Sequence, residues 1–446
     1  MTKSTVVFII FTFLSIYIFG QNDGYEIKVK ITPLQHQPVY LGYHFGDNQY
    51  VIDTLMLDQN GEGLFKKNRK LPQGMYLICL PSMKYFNFIL TDNQHLSIQN
   101  DTANLIQHLS IENDIENKIY ADYQRSLSRN IESTNILQQL IKQHPDSEKI
   151  YIEEIRRQKI ILKQEQEAII KQNPNLFFTK IMKAIQHKDF TFDAATYFAN
   201  VDFSDERLLF TPVFSSKLDD YFTSLPTLTT ENIDSLYLSL DYILTEAMKN
   251  PSVYEEITKY LIGQFDLSGN YPNTDAFWHI SDKYFLSGLT PWVNDAFKTR
   301  LSSYTQRIHK IVMNQPFPSL TLCDENDKTT KIPQSNANYV FIVFWNPDCM
   351  HCLQYLAELK QIYKSYTRQQ LDVIALLTSD KSDLWRKTIH ENDFTWQNYY
   401  DKKLLNDFVE DLFLYNTPQS FLLNKDKKIV AKDISMDELN TWLKKH

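Results

Sequence analysis

An apolar run, Tyr339 to Trp345, is followed after three residues by Cys349-Met350-His351-Cys352, and a helical pattern begins there. Few chain paths satisfy that spacing: a buried strand must end, turn through Asn346-Pro347-Asp348, and start a helix carrying two cysteines in its first turn. Leu371 to Thr378 reads as a second strand, so strand, helix and strand form a βαβ unit of the usual right hand. In the helix between them, Met350 to Tyr366, the residues Cys352, Tyr355, Leu356, Leu359, Ile362, Tyr363 and Tyr366 recur as one core-facing stripe. Helical patterns at Ser382 to His390 and Lys402 to Leu412 follow, then a hairpin from Ser420 to Asn424 and Lys428 to Lys432. Ser435 and Glu438 fit a capping box for a closing helix.

The rest of the chain has a different texture. Tyr25 to Ile31 alternates strictly, the period of a strand with one buried face. Runs rich in Tyr, Val, Ile and Phe recur at Pro38 to Phe45, Tyr50 to Leu57, Gly63 to Asn68, Gly74 to Leu80 and Lys84 to Leu90, with Asn60-Gly61 among the turns between them. From Ile106 to Ile311 only three of the ten glycines occur, and Glu, Gln, Lys, Leu and Ile repeat at helical spacing. Ile115 to Lys142, Ser147 to Asn173 and Asn232 to Lys249 are the clearest helices, broken at Asn173-Pro174 and Asn250-Pro251. Ile160-Ile161-Leu162 precedes a mostly polar stretch, which predicts either an ordinary packing layer or an exposed arm for self-association into a homo-oligomer. The expected fold class is multidomain α+β: a small antiparallel β domain over 21–105, a central all-α region over 106–311 and a C-terminal α/β module over 312–446.

The first 20 residues have the form of an export signal, with Lys3, an apolar stretch from Val6 to Phe19, and Gly20 as the expected cleavage point. The apolar stretch is shorter than the ~20 residues that span a bilayer comfortably, so an uncleaved membrane anchor is the alternative. Lys+Arg 46 against Asp+Glu 54, with no long basic run, argues against nucleic acid as a partner. Four cysteines in so long an exported chain do not make a disulfide scaffold.

The chemistry of the Cys349 and Cys352 pair follows from its place. A helix N-terminus offers unpaired N–H groups and a partial positive charge, both of which favour a thiolate at Cys349. Such positions lower a cysteine pKa from ~8.5 toward the range of about 3.5 to 7.5. Cys352 lies three residues on, close to the same helix face, where it can displace a mixed disulfide formed at Cys349. His351 adds a donor or positive charge that tunes the thiolate. Half of a zinc site and a purely structural disulfide are the bland readings, but no second cysteine pair or His-x-x-x-His partner is visible in the sequence. Closing so short a loop would also constrain the unfolded chain little. Cys79 in an apolar run and Cys323 near a hairpin read as buried thiols. No phosphate loop, nucleophile elbow or paired-acid motif occurs, and no metal or organic cofactor is expected.

Phe344-Trp345, the Cys349 and Cys352 pair, and Thr417-Pro418 leading into a strand resemble the thioredoxin fold. The Pro316-Phe317 lead-in is similar to the TlpA/ResA branch of exported thiol-disulfide oxidoreductases, a likeness covering roughly residues 312 to 446. The order of signal, β domain, helical region and terminal module also resembles a bacterial periplasmic architecture. The resemblance implies periplasmic exchange with protein thiols and disulfides, and recycling by a membrane redox partner. It also implies a cis peptide before Pro418 and a docking surface made by Trp345, Thr417 and Pro418. Val343 stands where many thioredoxins carry a buried aspartate, and Ala357 where the family often has a kink-forming proline. A periplasmic binding or scaffold protein, or an isomerase or chaperone, with a modified domain of this kind is the alternative.

Overall fold

The computed structural model describes residues 24–446 other than 187, 267 and 269–272, so the expected export signal lies outside the described residues. The chain packs as two compact units, one of residues 24–189, 197–221 and 247–256, the other of residues 190–196, 222–246 and 257–446. Segments of the helical stretch contribute to both.

In the first unit, strands β1 (Tyr25–Thr32), β2 (Pro38–Phe45), β3 (Asn48–Met56), β4 (Glu62–Lys67), β5 (Gly74–Cys79), β6 (Tyr85–Leu90), β7 (His95–Asp101) and β8 (Ser110–Glu112) form two four-stranded sheets. Their orders are β4-β1-β7-β8 and β3-β2-β5-β6, antiparallel throughout except that β1 and β7 run parallel. The alternation in β1 buries Tyr25, Ile27, Val29 and Ile31, which join Leu41, Phe65, Ile78 and Phe88 in one core. Gly61 turns the chain into β4 at φ +73°, where a Cβ would come within 2.6 Å of the Ile31 and Leu34 carbonyls. Beyond the sheets, the Ile115–Gln143 and Glu148–Gln172 helices form a hairpin whose second helix has no fully buried residue. Ile150, Ile160 and Ile161 stand exposed there, and the helices are stitched by Ser126 to Glu165 at 2.5 Å and Gln158 to Ser133 at 2.9 Å.

The second unit holds a seven-stranded mixed sheet. Its strands are β9 (Leu320–Asp324), β10 (Thr329–Ile332), β11 (Tyr339–Trp345), β12 (Leu371–Leu377), β13 (Gln397–Tyr400), β14 (Gln419–Leu423) and β15 (Ile429–Lys432), in the order β10-β9-β13-β12-β11-β14-β15. β11 is central and buried along six of its seven residues, as a run of Val, Ile and Phe should be when both faces are covered. It pairs parallel to β12 and antiparallel to β14. The Met350–Tyr363 helix lays Cys352, Leu356 and Leu359 onto this sheet beside Val343, Trp345 and Leu439.

The expected helix from Lys402 to Leu412 shrinks to Phe408–Leu412. The Asp401 carboxylate takes the N–H groups of Leu405 and Asn406, and Leu404 turns left-handed at φ +49°, so a local side-chain bond replaces the first helical turn. Residues 312–446 contain no glycine. Left-handed positions fall instead on Asn314, Asp327, Asp393 and Asp433, whose short polar side chains suit that region, and on Leu404, Phe413 and Lys427. The Ser435 and Glu438 capping box forms as expected.

β15 is an edge strand, and the helical stretch covers it. Thr229 bridges Ala431, Thr230 N–H donates to the Val430 carbonyl at 3.0 Å, and Asn314 N–H donates to the Ile429 carbonyl at 2.9 Å. Beneath this seam Lys432 reaches the Asp275 carboxylate, which is wholly buried, and also meets Thr274 Oγ1 at 2.6 Å and the Ile311 carbonyl at 3.2 Å. Asp275 in turn accepts the Met313 N–H at 2.7 Å. Removing the ammonium strands a buried carboxylate, a loss of about 3 to 5 kcal/mol. We expect Lys432→Met to lower the stability of this unit by that amount and to speed hydrogen exchange at the Thr230 and Asn314 amides that donate across the seam, with Lys432→Met/Asp275→Asn recovering part of the loss. Unchanged exchange in the single variant would refute the seam as a stabilising element.

Candidate active site

β11 delivers its last residue with its carbonyl already engaged: Trp345 O accepts Thr378 N–H at 3.1 Å and Thr378 Oγ1 at 3.2 Å. The chain then turns through Asn346, whose carbonyl accepts the Cys349 N–H at 3.0 Å, while Asp348 pairs with Lys381. Cys349 is the N-cap of the Met350–Tyr363 helix, with φ −89° and ψ 107°. Its Sγ accepts the Cys352 N–H at 3.2 Å, taking the role a serine or aspartate oxygen usually plays. Cys349 is partly exposed and Cys352 fully buried, and both are free thiols.

The opposite wall comes from β14. The β11–β14 ladder sets Phe344 against Gln419 and ends there, so Thr417 and Pro418 arrive beside the helix start. Pro418 has no N–H to give, which suits a position where pairing stops. The Thr417–Pro418 peptide is cis, and the Cys349 thiol donates to the Thr417 carbonyl at 3.5 Å.

These contacts make the two sulfurs unequal. Burial alone would raise the Cys349 pKa. Hydrogen bonds from the Cys352 thiol, the Cys352 N–H, the Thr417 side chain and the His351 N–H outweigh it and hold the thiol below its ordinary range. Burial, reinforced by the neighbouring Cys349 sulfur, pushes Cys352 up to about 11. The arrangement therefore presents one accessible, acidic thiol backed by one buried thiol that keeps its proton.

Trp345 was expected on a docking surface, but it is 0% exposed, edge-on to Phe394 at 6.1 Å. A residue at the end of a central strand under a covering helix faces the core, so its ring supports the helix start from below. His351 has an exposed side chain, and what it directs at Cys349 is its backbone N–H. Glu358 is held by Gln354 at 3.1 Å on the exposed face. In the sequence Tyr355 reads only as part of the core-facing stripe and Ser420 only as the start of a hairpin strand, and the bond between them is not foreseen. The Tyr355 hydroxyl meets Ser420 Oγ at 3.0 Å and donates to the Ile434 carbonyl at 2.8 Å, pinning the cysteine helix to β14. The register that sets Ser420 opposite Val343 is the only signal that could have found it. Cys79 and Cys323 are buried. Among the described residues, no three His, Cys, Asp or Glu side chains gather as a metal site, and no helix is long and apolar enough to cross a membrane.

Residues 313–432 match the model of the AhpC/TSA family, and the domain built on the seven-stranded sheet is thioredoxin-like. A search of curated proteins finds no match. Among solved structures, the chain is similar to a thioredoxin-like protein from Bacteroides caccae, at 20% identity over 58% of this chain and 100% of that one, with a TM-score of 0.45. It is similar to the thioredoxin domain of a thiol-disulfide oxidoreductase from Bacteroides vulgatus, at 22% identity over 30% of this chain and 97% of that one, with a TM-score of 0.29. StoA from Bacillus subtilis is similar at 17% identity over 28% of this chain and 96% of that one, with a TM-score of 0.24.

Alkylation reads the sulfur asymmetry directly. In the reduced protein, iodoacetamide should modify Cys349 with a pH midpoint below the ~8.5 of a free cysteine and leave Cys352 unmodified until the protein is denatured. Cys352→Ala removes one of the four hydrogen bonds, so the midpoint should move up yet stay below the free value. A Cys349 midpoint at or above that of a free cysteine would contradict the geometry.

Proposed function

We propose that the C-terminal domain is a thiol-disulfide oxidoreductase whose substrates are protein disulfides, acting outside the cytoplasm. The observation that carries this reading is the hydrogen-bonded Cys349 sulfur at the helix start, 3.2 Å from the Cys352 N–H, with Cys352 buried behind it. The match of residues 313–432 to the AhpC/TSA family and the domain's thioredoxin-like fold support it.

In the reducing direction the Cys349 thiolate attacks one sulfur of a substrate disulfide. One substrate sulfur leaves as a thiolate, and a mixed disulfide joins Cys349 to the other. Cys352 then attacks Cys349 Sγ, its proton passing to the departing thiolate, and the second substrate sulfur is released. Two electrons and the Cys352 proton have moved to the substrate, whose first-released thiolate takes its proton from solvent, and Cys349 and Cys352 are left as a disulfide. The oxidising direction is the same path reversed. Thr417 and Pro418 would hold the substrate backbone beside Cys349, and the His351 N–H would help keep the leaving Cys349 sulfur anionic. No metal or organic cofactor takes part, since the electrons pass between sulfurs. A membrane thiol-disulfide partner would return the pair to its starting state.

The high Cys352 pKa gives this scheme a kinetic signature. A buried thiol that keeps its proton resolves slowly unless the mixed disulfide is already aligned, so its removal should trap the intermediate. Insulin reduction should fall to the uncatalysed rate in Cys349→Ser. Cys352→Ala should accumulate mixed disulfides through Cys349 that a reductant releases. Equal insulin reduction by wild type and Cys349→Ser would overturn the assignment.

A further inference from the structure

The loop from Phe413 to Pro418 separates two clefts that meet at its tip. One, of about 560 Å³, has Pro418 on its rim and walls that include Phe222, Leu225, Leu228, Phe265 and Met313. The other, of about 1160 Å³, begins at Thr417 and runs past Asp380, Asp401, Asp407 and Asp411. Tyr415 and Asn416 line both, and Tyr415 is 55% exposed at the crest between them. Thr417 lines one cleft and Pro418 the other, so the pair forms a groove flanking the Thr417–Pro418 peptide on both sides, and the Thr417 carbonyl lies 3.5 Å from Cys349 Sγ.

The halves differ in chemistry. The first is walled by aromatic and aliphatic side chains, most of them supplied by the helical stretch rather than by the sheet domain. Its one ammonium, Lys432, is already engaged by Asp275, Thr274 and the Ile311 carbonyl. The second carries five aspartates, Asp327 included, against Arg386 and Lys402, a net charge of −3. Both of those cations pair with Asp327, at 3.1 and 2.5 Å. A polypeptide laid over Thr417 and Pro418 to reach Cys349 has one cleft on each side of it. Burial of apolar side chains favours it on one side, and charge complementarity on the other.

We propose that this groove selects, as substrate of the dithiol, an extended polypeptide whose reactive cysteine has apolar residues on one flank and lysine or arginine on the other. The proposal rests on the redox reading above and narrows it from disulfides in general to one class of polypeptide. Leu225, Tyr415 and the aspartates of the second cleft become specificity-determining residues that never touch the reacting sulfurs.

The test uses the full reduced chain and synthetic peptides whose single cysteine is disulfide-bonded to thionitrobenzoate, so that colour release reports attack. Four peptides suffice: apolar-Cys-basic, basic-Cys-apolar, apolar-Cys-acidic and a neutral polar control. For each variant the readout is the ratio of single-round second-order rate constants of colour release for the peptide and for free dithiobis-nitrobenzoate, a small disulfide that spans neither cleft. One of the two apolar and basic peptides should exceed the acidic peptide by about tenfold in that rate constant, with the advantage shrinking as salt is raised. Asp380→Asn/Asp411→Asn should erase the preference for the basic flank, and Leu225→Glu the preference for the apolar one. Equal ratios for all four peptides, with the small disulfide still turned over through Cys349, would overturn the groove proposal alone. Loss of turnover of the small disulfide in the wild-type protein would instead overturn the redox reading.

Discussion

The antiparallel register of β11 and β14 is the constraint on which the site depends. Phe344 faces Gln419, so the strand that launches the cysteine helix and the strand that follows Pro418 end at the same level of the sheet. A slip of one residue would turn every side chain of β14 to the opposite face and separate Thr417 from Cys349. The register is held by burial. Phe341, Ile342, Val343, Phe344, Phe421 and Leu422 are all fully buried, and each such side chain contributes about 1.5 to 3 kcal/mol relative to exposure. The Tyr355 hydroxyl adds a polar lock between the helix and β14 at Ser420. Reactivity at Cys349 is thus a consequence of core packing two strands away from solvent.

The inequality of the two sulfurs follows from the same placement. A helix that starts at the rim of a sheet leaves its N-cap at the surface and drives its third residue inward. The N-cap sulfur collects hydrogen bonds that stabilise an anion, while at the inner sulfur burial outweighs the hydrogen bonds from Thr417 and Asn346 and removes the solvation an anion needs. No acidic side chain under the pair is required for this division. With Val343 in the strand, the core beneath the pair is apolar, which strengthens the penalty on a Cys352 thiolate.

The cysteine helix, its neighbouring strands, the hairpin and the capping box were legible because each is a local pattern: an apolar run, a 3.6-residue stripe, a Ser and Glu three apart. β7 and β13 were not. β13 is four residues long, and the residue it turns inward beside Tyr400 is Asn398, whose side-chain NH2 donates to the carbonyls of Phe394 and Trp396. β7 pairs parallel to β1 across some seventy intervening residues, a contact no local window contains. At the site, Cys349 and Cys352 announced themselves by spacing, and Thr417 and Pro418 by resemblance. The burial of Trp345 and the backbone role of His351 were hidden because both depend on which way a residue points once the helix has docked.

The glycine-free terminal domain also bears on how the site is kept in shape. At Leu404, Phe413 and Lys427 its left-handed turns rest on residues that resist that conformation unless their surroundings enforce it. Phe413, at φ +56° and 2% exposed, is held edge-on to Tyr304 at 5.3 Å, with the Arg307 guanidinium 5.3 Å from its ring. The loop that carries Thr417 and Pro418 is therefore anchored by a side chain locked into the helical stretch, where a glycine would have left it free to vary. The same helical stretch covers the β15 edge and walls the apolar cleft. Holding the Thr417–Pro418 loop, closing an exposed sheet edge and shaping the clefts beside that loop are three results of one packing arrangement, which gives this thioredoxin-like domain a reason to be fused to its helices instead of standing alone.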